Sequence, residues 1–271
     1  MLAWLTDINR LRIVKIQDVK EENSTVKTFT FHDKYCADAV PGQFVMVWIP
    51  GVDEIPMSLS AIGADGVSSI TVAEVGEATK MLRKKKAGEV LGVRGPYGNG
   101  FALTSGSVMI VGGGTGLTPL MPLAERLAEL SAKIVFLVGA KTRDELFFLD
   151  KIETIVPEVT ATTEDGSYGL KGIVTELAEQ ILEKQRFDMI YACGPEPMML
   201  KMFLLAEQYN MPFQASLERY IRCGIGICGS CCIGEYRICR DGPVFSSEQL
   251  RKVRNEFGLF KREVDGKKVK F

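Results

Sequence analysis

The chain has 271 residues, nearly twice the ~150 typical of one domain, so two compact units are expected. Hydrophobic residues make up 46% and charged residues 25%, which excludes a disordered chain and supplies enough apolar surface for a sizeable core. Thirty-three basic and 34 acidic side chains nearly cancel, so no excess of positive charge draws the chain to a phosphate backbone and no nucleic-acid partner is expected.

In chain order, RIVKIQDV, TVKTFTFH, QFVMVWIP, SITVAEV and EVLGVRG read as short strands, with Pro41-Gly42 and Asp65-Gly66 as turn signals between them. The first two alternate with period 2, as strands with one wet face do. A small β-barrel over residues 12 to 104 follows, with a helix near Ala78 to Lys86 before its last strand. Phe101 to Ala124 carries no charge and exceeds the ~18 residues that raise the question of a membrane span. Gly112, Gly113, Gly114 and Gly116 interrupt it and Pro119 and Pro122 follow, so it reads as a buried strand, a tight turn and a helix start. The N-terminus MLAWLTDINRLR lacks the basic, apolar and small-residue order of a secretory signal, and a cytoplasmic protein without a membrane anchor is expected.

From Ser107 onward SVMIV, KIVFLVG and FDMIYAC alternate with the helical stretches LTPLMPLAERLAEL, RDELFFLDKIETI and EPMMLKMFLLAEQ, the pattern of a parallel sheet covered on both faces. Past Asn210 the chain turns cysteine- and glycine-rich to about Val244 and ends in a basic, polar tail. The plan is a barrel over 1–104, a Rossmann-like α/β unit over 105–210, and a cysteine-rich segment with its tail over 211–271 that is too short to hold itself without a staple.

Cys36 and Cys193 stand alone, whereas Cys223, Cys228, Cys231, Cys232 and Cys239 fall within 17 residues. Such crowding points to metal or redox chemistry in a reducing compartment. Cys223-x4-Cys228-x2-Cys231 has the spacing of the first three ligands of a plant-type 2Fe-2S site, and Cys239 is the available fourth. Thiolate sulfur is the soft donor iron favours, and Gly224, Gly226 and Gly229 let the backbone curl round the inorganic core. A four-cysteine zinc site competes, although zinc normally takes two Cys-x2-Cys knuckles and only one is present; buried inert thiols are a third reading. Cys232 is expected to face away from its neighbour Cys231 and is not counted as a ligand.

VMIVGGGTGLTPL sets a glycine turn between a buried strand and a helix, where backbone amides meet a pyrophosphate. The same turn would also serve close packing without a ligand. A second strand-to-helix turn, Ala192-Cys193-Gly194-Pro195-Glu196, stands on the same sheet edge. Gly139 to Arg143 end the second strand with no acidic residue, so Lys141 and Arg143 read either as contacts to a 2′-phosphate or as solvated charges.

A barrel followed by an α/β unit that opens with GGGTGLTP and closes with CGPEPMM resembles the ferredoxin-NADP reductase superfamily of flavin enzymes. The CGIGICGSC loop and the later ICRDGPVF resemble one branch of it, the iron-sulfur electron-transfer subunit of NAD-linked dihydroorotate dehydrogenase, over about residues 10 to 245. The resemblance implies that FAD binds the barrel through Ile55-Pro56-Met57-Ser58 and Leu59, where the family carries Arg-Pro-x-Ser. Isoleucine in place of that arginine asks amides or another base to meet the flavin pyrophosphate. It further implies flavin contacts at Thr71, Val72 and Ala73, then at Gly76, Ala78 and Thr79, with the helix after Thr79 aiming its amides at the phosphates. Turn chemistry is the competing use for the hydroxyls of Ser58 and Thr79.

By the same resemblance Gly113, Gly114, Thr115, Gly116, Asp165 of the EDGSYGLKG loop, Cys193, Gly194, Pro195 and Glu196 take NAD(H), and GPYGNGF at 95–101 ends the barrel. The function implied is electron transfer between NAD and the FMN of a separate catalytic subunit in pyrimidine biosynthesis, through FAD and a 2Fe-2S cluster, in a heterotetramer with two copies of each subunit. No catalytic acid or base for dihydroorotate is found in this chain, whose single histidine, His32, reads as structural or surface. Two other readings are a subunit of an NAD(P)H-dependent ferredoxin or sulfide oxidoreductase and a zinc-stapled nucleotide-binding module.

Overall fold

Alternation along the N-terminal strands closes a barrel. In the computed structural model, which describes residues 7–263 and 265–271, β1 (Arg12–Glu21), β2 (Val26–His32), β3 (Phe44–Ile49), β4 (Asp53–Ile62), β5 (Val67–Ala73) and β6 (Val90–Tyr97) join in the order β1-β2-β5-β4-β3-β6. Phe29, Phe31, Val47, Leu59, Ile70 and Leu91 fill its interior. The sequence pattern did not reveal β4, because Pro56 argues against a strand. β4 tolerates it because residues 53–58 pair only with β3; pairing with β5 begins at Leu59, next to a register shift between Leu59 and Ala61. At this end of the barrel, residues 53–58 of β4 and 71–73 of β5 therefore do not pair with each other. Helix α1 (Glu77–Arg83) follows, close to the expected span.

The α/β unit comprises β7 (Ser107–Gly113), α2 (Leu117–Glu129), β8 (Lys133–Ala140), α3 (Leu149–Ile155), β9 (Glu158–Thr163), β10 (Leu170–Lys171), α4 (Val174–Leu182), β11 (Met189–Cys193), α5 (Glu196–Gln208) and β12 (Phe213–Ser216). The RDELFFLDKIETI stretch is helical only from Leu149. Phe147 and Phe148 are buried edge to face at 4.8 Å, and Phe148 takes a left-handed φ of 65° that stops a helix there. Packing overrides propensity at that point.

Beyond these lie β13 (Cys232–Ile233), β14 (Tyr236–Arg237), α6 (Ile238–Asp241), β15 (Val244–Ser246), α7 (Ser247–Lys252), β16 (Phe260–Arg262) and β17 (Lys268–Lys270). The main sheet runs β10-β9-β8-β7-β11-β12-β15, parallel except for β15. It therefore continues past residue 210, the expected end of the α/β unit, taking two strands from the cysteine-rich stretch. That stretch is also anchored by apolar side chains, with Phe245, Leu250, Val253 and Phe257 in the same core as Met109, Leu137 and Phe203. β8 and β11 lie on opposite sides of β7, so the strand order reverses there, and ligands bind outside the C-terminal strand ends at such a point. Among the described residues no helix is long and apolar enough to cross a membrane.

Candidate cofactor cleft and cysteine loop

The mutually unpaired ends of β4 and β5 face the start of α2. A cleft of about 320 Å³ opens there, walled on the barrel side by Ile55, Pro56, Met57, Ser58, Thr71, Val72, Ala73 and Thr79, and on the other by Thr115, Thr118 and the chain from Ser216 to Ile221. The structure thus gathers most of the residues expected at the flavin together with one from the glycine turn. Leu59 is a correction: it points into the barrel core and is fully buried there, since period-2 alternation turns it away from its neighbour Ser58.

Two hydroxyls at the cleft are already engaged. Thr79 Oγ1 accepts the Val75 and Gly76 N–H groups at 3.0 Å each and donates to the Gly76 carbonyl at 2.9 Å. The helix begins before Thr79, not after it, and Gly76 and Ala78 stand in its capping turn. Thr71 Oγ1 donates to Ser60 at 2.9 Å and shares a hydrogen bond with Thr28 at 2.8 Å. His32 lies exposed at the end of β2, with Nε2 3.0 Å from the Asp65 carbonyl.

The glycine turn combines both uses weighed for it. A Cβ on Gly113 would strike Met198 and Pro195, at 2.9 and 3.0 Å, and one on Gly116 would strike the Cys193 backbone at 2.3 Å, so these two let the strand-to-helix turns approach each other. Gly114 differs, with a φ of 53° and open space beside it, where a ligand can approach the backbone.

The second turn requires two corrections. Cys193 is buried, its Sγ directed at the Ser216 carbonyl at 3.5 Å and its thiol pushed up by burial, so the side chain is a core group and only its backbone borders the turn. Glu196 is buried too. Its carboxylate accepts hydrogen bonds from both terminal guanidinium nitrogens of Arg219 and from the Gly258 N–H at 2.8 Å, which leaves it committed to a buried ion pair rather than to a nucleotide. Gly194 and Pro195 sit at the turn itself, ahead of α5.

Asp165 lies in the turn after β9 and outside the cleft. Ser167 donates to it from Oγ at 2.7 Å and from its N–H at 3.0 Å, which holds the carboxyl below its ordinary range. Ser167 Oγ also accepts the Arg143 N–H at 2.8 Å, joining this turn to the end of β8, and the Arg143 guanidinium lies 5.9 Å from the Tyr168 ring. Lys141 and Arg143 are both exposed.

In the cysteine loop the sulfurs stand as two pairs. Cys231 and Cys239 are buried with Sγ atoms 3.4 Å apart, and the Cys228 side chain neighbours Cys223. Among the described residues no three ligating side chains close on a single ion. Two thiolates for each of two irons is what a binuclear cluster requires. Gly224, Gly226 and Gly229 carry φ values of 74°, 80° and 74°, and the curl they permit turns amides inward. The Gly226 N–H reaches Cys239 Sγ at 3.1 Å and the Ile227 N–H reaches Cys223 Sγ at 3.4 Å. Burial raises the Cys223 thiol, but donors from the loop backbone outweigh it and hold it down to about 7. The hydrogen bond from Cys239 draws Cys231 down to about 6 and keeps the proton on Cys239. Cys223 and Cys231 are thereby disposed toward the thiolate form that ligates metal, and Cys239 would give up its proton on ligation. Cys232 lies outside the Cys231–Cys239 contact, in β13.

The loop is docked on the barrel. Arg94 binds Glu54 through two 2.7 Å hydrogen bonds and donates to the Cys223 carbonyl at 3.4 Å. Asn99, from the end-of-barrel turn, bonds the Asp241 carbonyl and the Val244 N–H, each at 3.1 Å. Ile221 is in the cleft wall and Cys223 is two residues further on. Sequence patterns missed Thr118, Arg94, Asn99 and Arg219. Thr118 adjoins the glycine turn and was within reach of motif reading; the other three declare themselves only through partners distant in the chain.

A barrel cleft set against the switch-point turn of a nucleotide-binding sheet, with a cysteine loop continuing from the cleft wall, defines the class of iron-sulfur reductases built on the ferredoxin-NADP reductase plan. Residues 218–251 match the iron-sulfur cluster binding domain of dihydroorotate dehydrogenase B, and residues 110–202 match the oxidoreductase NAD-binding domain. The chain is 44% identical over 259 residues to a probable dihydroorotate dehydrogenase B (NAD(+)), electron transfer subunit, of Methanocaldococcus jannaschii, covering 95% of this chain and 97% of that one. A protein of the same description from Pyrococcus horikoshii is 44% identical over 257 residues, covering 95% and 98%. The chain belongs to the family of dihydroorotate dehydrogenase B electron transfer subunits. Among solved structures it resembles an NADH-dependent reduced ferredoxin-NADP oxidoreductase, with a TM-score of 0.80 and 30% identity over 90% of this chain and 94% of that one. The flavohem-like FAD/NAD-binding domain of a nitric oxide dioxygenase from Vibrio cholerae shares the fold, with a TM-score of 0.66 and 20% identity over 74% of this chain and 94% of that one.

Proposed function

We propose that this chain relays electrons between NAD and a catalytic partner subunit that carries FMN and oxidises dihydroorotate, in pyrimidine biosynthesis. The observation that carries the reading is continuity: the chain leaving β12 lines the cleft from Ser216 to Ile221 and then supplies Cys223. FAD occupies the cleft against Ile55–Ser58 and Thr71–Ala73, NAD(H) approaches the sheet edge at Gly114, and Cys223, Cys228, Cys231 and Cys239 hold a 2Fe-2S cluster. A flavin exchanges two electrons as a hydride with a nicotinamide and passes single electrons to an iron-sulfur centre, so the protein's share is positioning and electrostatics.

Each part of the chain has a definable share. The loop amides of Gly226 and Ile227 meet sulfurs that become anionic, and such hydrogen bonds tune a cluster's potential. The apolar wall at Ile55, Pro56 and Met57 keeps water from a planar ring, and the dinucleotide's phosphates meet amides or another base where the family carries arginine. The partner takes the carbon acid chemistry, two copies of each subunit make the assembly, and the complex works in the cytoplasm.

Anaerobic titration of the pure protein with NADH, followed by visible spectra and spin resonance, tests the relay. Flavin bleaching accompanied by a reduced-cluster signal is expected; bleaching without that signal refutes it. Likeness to the ferredoxin-NADP oxidoreductase structure favours a second reading, an NAD(P)H-dependent ferredoxin oxidoreductase. Dihydroorotate-dependent NADH formation with the FMN subunit supports the first reading, and discharge into ferredoxin alone supports the second.

A further inference from the structure

Thr118, the second residue of α2, lines the cleft and is 4% exposed, yet its Oγ1 has no hydrogen-bond partner. A threonine in a helix can return its hydroxyl to a carbonyl one turn back, and here that bond is not made. Burying a hydroxyl without a partner is costly, so such groups are rare in native proteins and each requires a cause.

Position separates the two ligands that could supply the partner. Gly114 borders open space at the sheet edge and Thr115, although it also lines the cleft, is exposed, as contacts to an exchanging nucleotide must be. Thr118 lies inside the cleft that Ile55–Ser58 close from the barrel side. Its partner is therefore a group that stays bound.

We infer that Thr118 Oγ1 hydrogen-bonds the resident flavin dinucleotide, so that the α/β unit adds a direct polar contact to those expected from the barrel. The inference rests on the reading that the cleft holds FAD. It adds one uncharged contact to a site that has isoleucine at position 55 in place of the family's arginine.

Thr118→Val keeps the side-chain shape and removes only the hydroxyl, and Thr118→Ser restores a hydroxyl. In the full chain, Thr118→Val should weaken FAD binding about 3–10-fold, the range of one neutral hydrogen bond, as read by flavin fluorescence. NADH binding should stay within about twofold, and Thr118→Ser should hold FAD within about threefold of wild type. The flavin-free Thr118→Val protein should melt about 2–4 °C above flavin-free wild type, because an unsatisfied buried group has been removed. A residue with a merely structural role would lower that melting point. Unchanged FAD affinity overturns the inference, as does a loss confined to NADH binding or a lower melting point of the flavin-free variant. Wild-type protein that binds no FAD overturns the cleft reading itself, a result visible before any variant is made.

Discussion

Glu196 separates a motif reading from a structural one. It stands in the CGPEP turn, where the resemblance expects a nucleotide contact, but its side chain is 4% exposed and paired with Arg219, whose side chain is 3% exposed. Removing one member of such a buried pair costs about 3–5 kcal/mol, chiefly because the remaining charge loses its compensation. Glu196→Gln keeps one acceptor oxygen for Arg219 or for the Gly258 N–H, so the lower end, about 3 kcal/mol, is expected. For a chain of this size each kcal/mol moves the melting temperature by roughly 2–4 °C, so the variant should melt about 6–12 °C below wild type. Calorimetry of the flavin-loaded protein reads that shift, and fluorescence titration at a temperature where both proteins are folded reads NADH affinity, which should stay within about twofold. Removing Arg219 as well should cost less than the sum of the single losses, since a lone buried guanidinium is the expensive species. An unchanged melting temperature with NADH affinity lost would show that Glu196 is a ligand after all.

Cys228 is exposed at the loop rim, so Cys228→Ser should fold normally; it should abolish transfer to the partner subunit while NADH-to-dye activity through FAD persists, and equal loss of both would refute the order of centres. Asn99→Ala removes two hydrogen bonds to the Asp241–Val244 stretch and should cost about 1–2 kcal/mol, seen as faster hydrogen exchange across residues 238–246. Burial pushes the Cys36 thiol up to about 12, whereas an unfolded thiol ionises near ~8.5. The folded state therefore retains the proton longer: this contribution to stability is complete below about pH 8.5 and declines by about 1.4 kcal/mol per pH unit toward pH 12. Urea unfolding between pH 8 and 11 should show a shallower alkaline decline for Cys36→Ala, and an unchanged slope would exclude that thiol as its source.

Local chemistry was the legible part of this molecule. The spacing Cys223-x4-Cys228-x2-Cys231, the glycine turn and the alternating barrel strands each carry their signal within a few residues, and each marks the corresponding element of the structure. Signals that depend on distant partners did not show. Pro56 hid β4, because a sequence cannot report that one side of a strand is left unpaired at the proline. The two short strands β12 and β15, four and three residues long, are too brief for periodicity and find their places only by joining an existing sheet. Glu196 and Arg219 are 23 residues apart, and nothing in either segment announces the pairing. Thr118 was readable as a hydroxyl beside the turn; only its burial reveals the missing partner.

One apolar core includes Phe44, Met46 and Tyr97 of the barrel, Phe213 and Ala215 of the sheet, and Cys231 and Cys239 of the loop. The sulfur-bearing part is therefore no swinging arm on a tether. Where carrier domains deliver charge by diffusing between docking stations, here the cysteine loop is held to the barrel and the sheet by one packed core. Loosening the shared core should therefore change the spacing between loop and cleft even when every cysteine remains in place.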